Sequence, residues 1–139
     1  MSSLKSNIKF NEITIKAIYG NPKYKVYFVV ENNKSKVIST FNNLPNKMKV
    51  FIKDLITKMA TVNEFVSPHI KYSIKHYNYG EIRPMPHRFF FFQKCGNNYI
   101  FFDYILKKVD SLPDSIYKSI NKKKKVYEKE FQRYSEGLQ

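Results

Sequence analysis

The N-terminal part of the chain shows the two-residue alternation of apolar and polar positions that is typical of half-buried strands. The segment IKFNEITIKAIYG (residues 8–20) alternates in this way, and so does KYKVYFVVE (residues 23–31). Between them, Gly20, Asn21 and Pro22 form a turn signal. The pattern therefore predicts a β-hairpin at the start of the fold.

Two helices are predicted next, because the spacing of apolar residues changes from two to three or four. Ser35 is suited to cap a short helix over KVISTFNNL, since its hydroxyl can accept a hydrogen bond from a free N–H of the first turn. Pro45 suits the first turn of a second helix, NKMKVFIKDLITKMATV. One apolar stripe of that helix is expected to be core: Met48, Phe51, Ile52, Leu55, Ile56 and Met59.

After Pro68 the pattern returns to short strands bounded by Gly, Asn or Pro. The predicted strands are HIKYSIKHY, YGEIRPM, HRFFFFQK and NYIFFDYILKK, and CGNN joins the last two as a hairpin turn. Loops this short require consecutive strands to pair antiparallel. The four consecutive phenylalanines at 89–92 predict a strand buried on both faces, since a half-buried strand would turn two of them towards water.

A C-terminal helix is predicted over DSIYKSINKKKKVYEKEFQRY. The preceding DSLPDS supplies a start signal, with Ser111 or Asp114 as the cap and Pro113 in the first turn. The element order is then β-β-α-α-β-β-β-β-α. This order predicts an α+β fold, in which two helices of the N-terminal half and a C-terminal helix pack on one antiparallel sheet. The inner positions of the last helix are Ile116, Ile120, Tyr127 and Phe131, and the four lysines at 122–125 fall largely outside.

The length and composition suit a single domain spanning 1–139, in which residues 1–22 add an N-terminal strand. The 139 residues are 42% hydrophobic, which is enough to build a core. No run approaches the roughly 20 apolar residues of a membrane span. The N-terminus, MSSLKSNIKF, lacks the apolar stretch of a signal peptide. A cytoplasmic location with no membrane partner is therefore expected.

The cysteine and histidine content gives no metal signal. Cys95 is the only cysteine and cannot form an intramolecular disulfide. No spacing of Cys and His resembles a zinc site. Cys95 is interpreted as a thiol beside a turn, because no histidine lies near it in sequence.

The charge of the chain points to a polyanionic partner. The formal net charge is +14, which favours nucleic acid or an acidic protein. An AT-rich coding bias is an alternative explanation, since 22 of the 25 basic residues are lysines and asparagine is also abundant. The placement of charge is therefore more informative than its total. The three arginines are Arg83, Arg88 and Arg133.

Several short motifs resemble the RelE/HigB-type toxins of bacterial toxin–antitoxin modules, including their phage-derived relatives. The family pattern has an acid-apolar-Arg triplet, here Glu81-Ile82-Arg83, and an arginine that opens an apolar strand, here Arg88. A second apolar strand ends in two lysines, here YIFFDYILKK, and a proline-started helix follows, here SLPDSIYKSI. STFNNLP resembles the first helix of the family. The resemblance covers residues 24–134.

This resemblance implies a function and a set of partners. It implies a ribosome-dependent endoribonuclease that cuts messenger RNA and is silenced by an antitoxin, either acidic or of the helix-turn-helix type. It implies no metal and no cofactor, because the 2′-hydroxyl of the substrate attacks the adjacent phosphate. Such a reaction needs a base, an acid and cations for the charge that develops on the phosphate.

The candidate catalytic residues cluster around the start of the phenylalanine strand. Arg83 and Arg88 are expected to contact phosphate, because the guanidinium fork matches its oxygens, although either could instead pair with Glu81. Glu81 is expected to be a general base or the ion-pair partner of Arg83. His87 suits proton transfer, but strand alternation points it to the face opposite Arg88. By the same alternation only one of Asp103 and Tyr104 faces a cleft, where Tyr104 would stack on a base or donate a proton.

Basic residues near these motifs are the candidate RNA contacts. As solvated side chains at strand ends or in loops, each also has a simpler interpretation without a ligand. Two functions remain as alternatives to a nuclease: a non-catalytic basic module that binds nucleic acid or protein on the same fold, and a gyrase-directed toxin relative. The candidate RNA-binding residues are Lys75, His76, Lys94, Lys107 and Lys108.

Overall fold

Nine elements form in the predicted order β-β-α-α-β-β-β-β-α. The computed structural model describes residues 7–108 and 111–137. The first part of the predicted N-terminal extension at 1–22, residues 1–6, lies outside the described residues, as do 109–110, where the predicted start signal of the last helix begins, and 138–139. The elements are β1 (Ile8–Ile13), β2 (Lys25–Glu31), α1 (Lys36–Asn42), α2 (Asn46–Thr61), β3 (Ile70–Lys71), β4 (Gly80–Ile82), β5 (His87–Gln93), β6 (Asn98–Leu106) and α3 (Asp114–Gly137).

The six strands form one sheet in the order β1-β2-β6-β5-β4-β3. The α+β class is confirmed, and the consecutive strands β3 to β6 pair antiparallel as their short loops require. The prediction of a wholly antiparallel sheet is wrong, because β2 pairs parallel with β6 through Lys25↔Asn98 to Phe28↔Phe101. These two strands are joined by both helices and three further strands, so local loop length does not determine their pairing.

Strand β5 lies inside the sheet and is buried on both faces, as predicted. Phe89 and Phe91 pack in the core on one face, with Ile52, Leu55 and Met59 of α2. Phe90 and Phe92 pack in the core on the opposite face, with Ile120 and Phe131 of α3. All four rings are no more than 2% exposed. The fold therefore has three layers, with α1 and α2 on one side of the sheet and α3 on the other.

The helix starts follow the local chemistry that the sequence contains. The Ser35 hydroxyl accepts a hydrogen bond from the Ile38 N–H at 3.3 Å and caps α1. Pro45 immediately precedes α2, at the N-cap, where its fixed φ and missing N–H cost nothing. α3 begins at Asp114, directly after Pro113. Its predicted inner residues Ile116, Ile120, Tyr127 and Phe131 all pack against the sheet.

Two predicted strands are shorter than their alternating pattern. β1 ends at Ile13, although alternation continues towards Gly20. β3 contains only Ile70 and Lys71, because the chain turns at Lys75, whose φ is +53°, and the Ile74 N–H bonds to the Tyr79 carbonyl. The segment before the acid-apolar-Arg triplet is therefore a loop, and Lys75 lies in it.

Gly80 opens β4 where the backbone of β3 passes very close. A Cβ at this position would lie 2.3 Å from the Lys71 carbonyl oxygen and 2.8 Å from Cζ of Phe91. Neither group can move freely, since one is backbone and the other belongs to the buried strand. Only glycine allows β4 to pair here, and Glu81 follows directly.

We expect Gly80→Ala to destabilise the protein by about 1–3 kcal/mol, the usual cost of overpacking a filled site. Gly137→Ala is the control, because nothing lies within 4 Å of its built Cβ and alanine favours helix. Urea denaturation measures both. Equal stability of the two variants would contradict the close approach at Gly80.

Candidate functional site

The start of β5 sends two ionisable side chains to opposite faces of the sheet. His87 pairs with Leu106 and Arg88 with Ile105, so the strand is regular at this point. Alternation then places His87 on the α2 face with Phe89, and Arg88 on the α3 face with Phe90. The sequence-based expectation of opposite faces is confirmed. The candidate catalytic residues therefore fall into two groups.

The first group is a carboxylate between two guanidinium groups. Glu81 lies opposite Phe90 in the β4–β5 ladder. Its Oε2 is 3.2 Å from Nε of Arg83 and 3.7 Å from Nε of Arg88. Arg88 is 2% exposed and Glu81 is 6% exposed, whereas the Arg83 side chain retains 28% of its surface. Both arginines therefore pair with Glu81, and Arg83 is the one that reaches solvent.

The environment of Glu81 shifts its proton affinity. Burial raises the pKa of this carboxyl, and the nearby charges of Arg88, Arg83, Lys71 and Lys107 oppose that rise. Burial lowers the pKa of Arg88, an effect that the Glu81 charge counteracts. A carboxyl with a raised pKa is better matched to proton transfer near neutral pH than an ordinary one.

Arg83 has an unused donor in this group. Its Nε lies 3.2 Å from the carboxylate of Glu81, yet it is buried and makes no hydrogen bond. The contact is therefore an ion pair without hydrogen-bond geometry. The backbone N–H of Arg83 is fixed separately, by a 2.6 Å bond to the His69 carbonyl. Its position is thus set by backbone while part of its side chain is free to bind an oxyanion.

The second group is an imidazole–phenol pair on the α2 face. His87 Nδ1 lies 2.6 Å from the hydroxyl of Tyr104, and the Tyr104 ring packs on Phe89 at 4.9 Å. Burial lowers the pKa of His87 and raises the pKa of Tyr104. The lowered pKa favours the neutral imidazole of His87, which is the form that accepts a proton.

A β-bulge in β6 determines which side chain joins His87. The ladder pairs Phe90 with Asp103 and Phe91 with Phe101, so Phe102 has no partner on β5. Phe102 and Asp103 consequently share the α3 face, and Tyr104 returns to the α2 face. Asp103 is buried there, 3.4 Å from Lys36 and 3.2 Å from Lys123. Asp103 is thus a structural carboxylate, and Tyr104 is the residue that can act with His87.

The candidate RNA-binding lysines do not all lie together. Lys107 is close to both groups, since its N–H bonds to the Pro86 carbonyl at 2.9 Å, and the exposed Lys108 follows it. Lys94 follows the far end of β5, about 23 Å from His87 at roughly 3.3 Å per residue, and pairs with Glu128. Lys94 is therefore not part of this site.

Lys75 and His76 lie beside the start of α3. Lys75 pairs with Asp114, and its ammonium lies 4.8 Å from the centre of the Tyr117 ring. The exposed His76 ring packs on Tyr77 at 4.3 Å. The charges of Arg83, Arg88 and Glu81 all act on Tyr117, which places this loop next to the carboxylate–guanidinium group.

Sequence reasoning missed Tyr117 and gave no role to Lys71. Tyr117 lies one turn into α3, with no local signal to separate it from a core tyrosine. Lys71 is opposite Glu81 in the β3–β4 ladder. Counting these neighbours, five cations (Lys71, Lys75, Arg83, Arg88 and Lys107) face two carboxylates (Glu81 and Asp114), an excess of three positive charges.

Apart from these two groups, the described residues form a groove but no cluster of metal ligands. Across 7–108 and 111–137, no three His, Cys, Asp or Glu side chains are grouped as metal ligands. A groove of about 910 Å³ lies at the opposite end of β6, bordered by Tyr24, Cys95 and Asn98. In the same ranges, no helix has both the length and the apolarity needed to cross a bilayer.

Comparison of the chain with protein-family models, with curated proteins and with solved structures gave no match. The geometry of the two groups and the motif resemblance described above are therefore the grounds for a function.

We expect removal of Arg88 to be costly while Glu81 remains charged. Arg88→Met should destabilise the protein by about 3–5 kcal/mol, the usual effect of breaking a buried ion pair. The double variant Arg88→Met with Glu81→Gln removes both charges and should recover much of that loss. Urea denaturation of the two variants measures the difference. Equal instability of both would show that packing, and not charge, dominates at Arg88.

His87 should make the protein less stable in mild acid. Its pKa is lowered in the folded state, so its contribution is complete above the unfolded pKa of roughly 6.5 and is lost as pH falls towards the folded pKa. We expect His87→Gln to lose less stability than the parent between about pH 7 and pH 5. Denaturation midpoints at both pH values provide the test, with His76→Gln, at an exposed loop position, as the control.

Proposed function

We propose that this chain is a RelE/HigB-type toxin that cleaves ribosome-bound messenger RNA without a metal. The observation that carries the proposal is the buried Glu81 carboxylate, with a raised pKa, between Arg83 and Arg88 at the end of the sheet. These are the same residues that form the acid-apolar-Arg triplet and the strand-opening arginine of the family pattern.

The reaction requires one base, one acid and a cation. The 2′-oxygen forms a bond to phosphorus as its proton passes to the base, and the bond from phosphorus to the 5′-oxygen breaks as that oxygen receives a proton from solvent water. Glu81 supplies the base. Arg83 binds the phosphate oxygens through the solvent-exposed part of its guanidinium side chain. Lys107, at the adjoining end of β6, adds positive charge to the same region.

Arg88 has a different role in this proposal from the phosphate contact that its sequence position suggests. At 2% exposure, against 6% for Glu81 and 28% for the Arg83 side chain, its guanidinium has the least access of the three to a substrate. It contacts Glu81 and donates a 3.1 Å hydrogen bond to the carbonyl of His87. Arg88 thus positions Glu81 and limits the rise of its pKa, while Arg83 contacts phosphate.

The proposed partners follow from the same reading. Ribosome-bound messenger RNA is the substrate, and an acidic or helix-turn-helix antitoxin is the inhibitor. The excess of three positive charges around Glu81 favours both a phosphate backbone and an acidic protein segment. The cytoplasm, where ribosomes are present, is the proposed location.

A second candidate function is a basic module that binds RNA without cutting it. Two observations favour it: the burial of Arg88, and the placement of His87 and Tyr104 on the face opposite Glu81. A protein of this kind would retain the positive surface but would lack an acid and a base on one substrate phosphate.

We expect purified protein to cut messenger RNA on programmed ribosomes, with cleavage detected by mapping 5′ ends. Arg83→Ala should lower the cleavage rate by about 10²-fold or more, the scale of a lost preorganised donor. Arg133→Ala is the matched control, because Arg133 is exposed on α3 and pairs with Glu130 far from β4 along the chain. Glu81→Gln should lower the rate similarly while ribosome binding persists.

The same assay distinguishes the two functions. Intact messenger at saturating protein would refute cleavage and leave the binding function. Cleavage that survives Glu81→Gln but is lost in His87→Gln would transfer the base role to the imidazole–phenol pair. Equal rates in Arg83→Ala and Arg133→Ala would refute the phosphate contact.

A further inference from the structure

Helix α3 carries a row of lysines that neither the core nor the site described above uses. Four exposed lysines recur at intervals of four, three and four residues, which places them on one side of a helix with 3.6 residues per turn. Together they extend about 16 Å along the helix axis at 1.5 Å per residue. We call this set the basic ridge: Lys118, Lys122, Lys125 and Lys129.

The other lysines of the 122–125 run have structural partners and point elsewhere. Lys123 lies 3.2 Å from the buried carboxylate of Asp103. Lys124 is itself buried, contrary to the expectation of a largely outward run, and contacts Glu128 at 3.0 Å. The side chains of the 122–125 run therefore point in different directions, and only those of Lys122 and Lys125 belong to the basic ridge.

The basic ridge has no acidic counterpart along its length. The salt bridges found among the described residues include none of its four lysines. The carboxylates of this helix are at its ends or directed away: Asp114 pairs with Lys75, and Glu128 and Glu130 pair with other cations. Successive ridge lysines are three or four residues apart, a spacing at which like charges repel and weaken a helix.

Coding bias does not explain this arrangement. Helix α2 also has four lysines, Lys47, Lys49, Lys53 and Lys58, and a bias in composition would affect both helices alike. In α2 they do not share a face, two of them are only partly exposed, and Lys58 pairs with Asp54 at 3.0 Å. In α3 four lysines share one face despite their mutual repulsion. A bound ligand with several negative charges would offset that repulsion.

We propose that the basic ridge binds the phosphate backbone of double-helical RNA, without reading its sequence. Lysine presents a point charge that does not require the bidentate geometry of base recognition, and phosphate contacts position a protein without specifying a sequence. A membrane surface is less suitable, because the apolar side of α3 is already packed on the sheet through Ile120 and Phe131. The choice of RNA over DNA rests on the ribosomal substrate of the proposed function, but a binding measurement does not require cleavage, so the two can fail separately.

Salt dependence of binding tests the proposal. The probe is a fluorescent RNA hairpin of roughly 20 base pairs, and the dissociation constant is measured by anisotropy over a series of KCl concentrations. Changing all four ridge lysines to Gln should reduce the slope of log K against log salt by about 3.6, at roughly 0.9 per phosphate contact on a duplex. A hairpin of scrambled sequence should give the same result.

The α2 lysines provide the matched control. Changing Lys47, Lys49, Lys53 and Lys58 to Gln removes the same four charges from the total of +14, and should reduce the slope by less than about 1. Changing the ridge lysines to Arg should preserve the slope, which separates loss of charge from loss of folding.

Three results would overturn the proposal. Equal slope changes in the ridge and α2 variants would show that only total charge matters. An unchanged slope in the ridge Gln variant would show that the ridge does not contact RNA. If the unchanged protein binds vesicles of about one-third phosphatidylserine, and the ridge Gln variant loses that binding while it still binds RNA, the ridge belongs to a lipid-binding surface instead.

Discussion

Burial of β5 on both faces is the constraint on which the other features depend. A half-buried strand turns every second side chain towards solvent, but a strand with buried phenylalanines at four consecutive positions must pack into a core on each face. The direction of each side chain in β5 is therefore determined by two cores, one formed with α2 and the other with α3. The alternation of side chains along β5 continues through the two residues before this run, so His87 and Arg88 lie on opposite faces of the sheet.

The position of Arg88 on the α3 face of β5 explains why a charged group lies within the protein. Arg88 continues the row of Phe90 and Phe92 and is enclosed as they are. A buried guanidinium needs a counter-charge, and Glu81 on β4 is in the adjacent position. Burial of Glu81 in turn makes its carboxyl a weaker acid. An electrostatic environment suited to catalysis can therefore originate from a packing requirement, and the approach of Gly80 to β3 brings that carboxylate into place.

Much of the architecture could be predicted because it depends on local patterns. Apolar periodicity gave the order of the elements, the inner faces of α2 and α3, and the burial of residues 89–92. The parallel pairing of β2 with β6 could not be predicted, because the two strands are distant in sequence and neither carries a signal for the other. The loop at Lys75 was interpreted as strand because alternation alone does not reveal a residue with positive φ.

The candidate site was predictable in its residues but not in its grouping. Alternation correctly separated His87 from Arg88, since it is a property of any regular strand. The pairing of one carboxylate with two arginines depends on the β4–β5 register, which sequence does not reveal. The same applies to Lys124, whose burial depends on Glu128 one turn later in α3.

The bulge at Phe102 and Asp103 has a consequence for how such a protein can diverge. Residues after the bulge lie on the faces opposite to those that an unbroken strand would give them. Loss of Phe102, which has no partner on β5, would remove the bulge and restore the simple alternation. Asp103 would still lie opposite Phe90, and Tyr104 opposite Phe89, so the imidazole–phenol pair would be kept. If the bulge closed without loss of a residue, Asp103 would instead move to the face of His87 and Tyr104 to the face of Arg88. Related sequences can therefore shorten β6 at this point without a change in chemistry, whereas a shift of register at constant length would replace the imidazole–phenol pair with an imidazole–carboxylate pair.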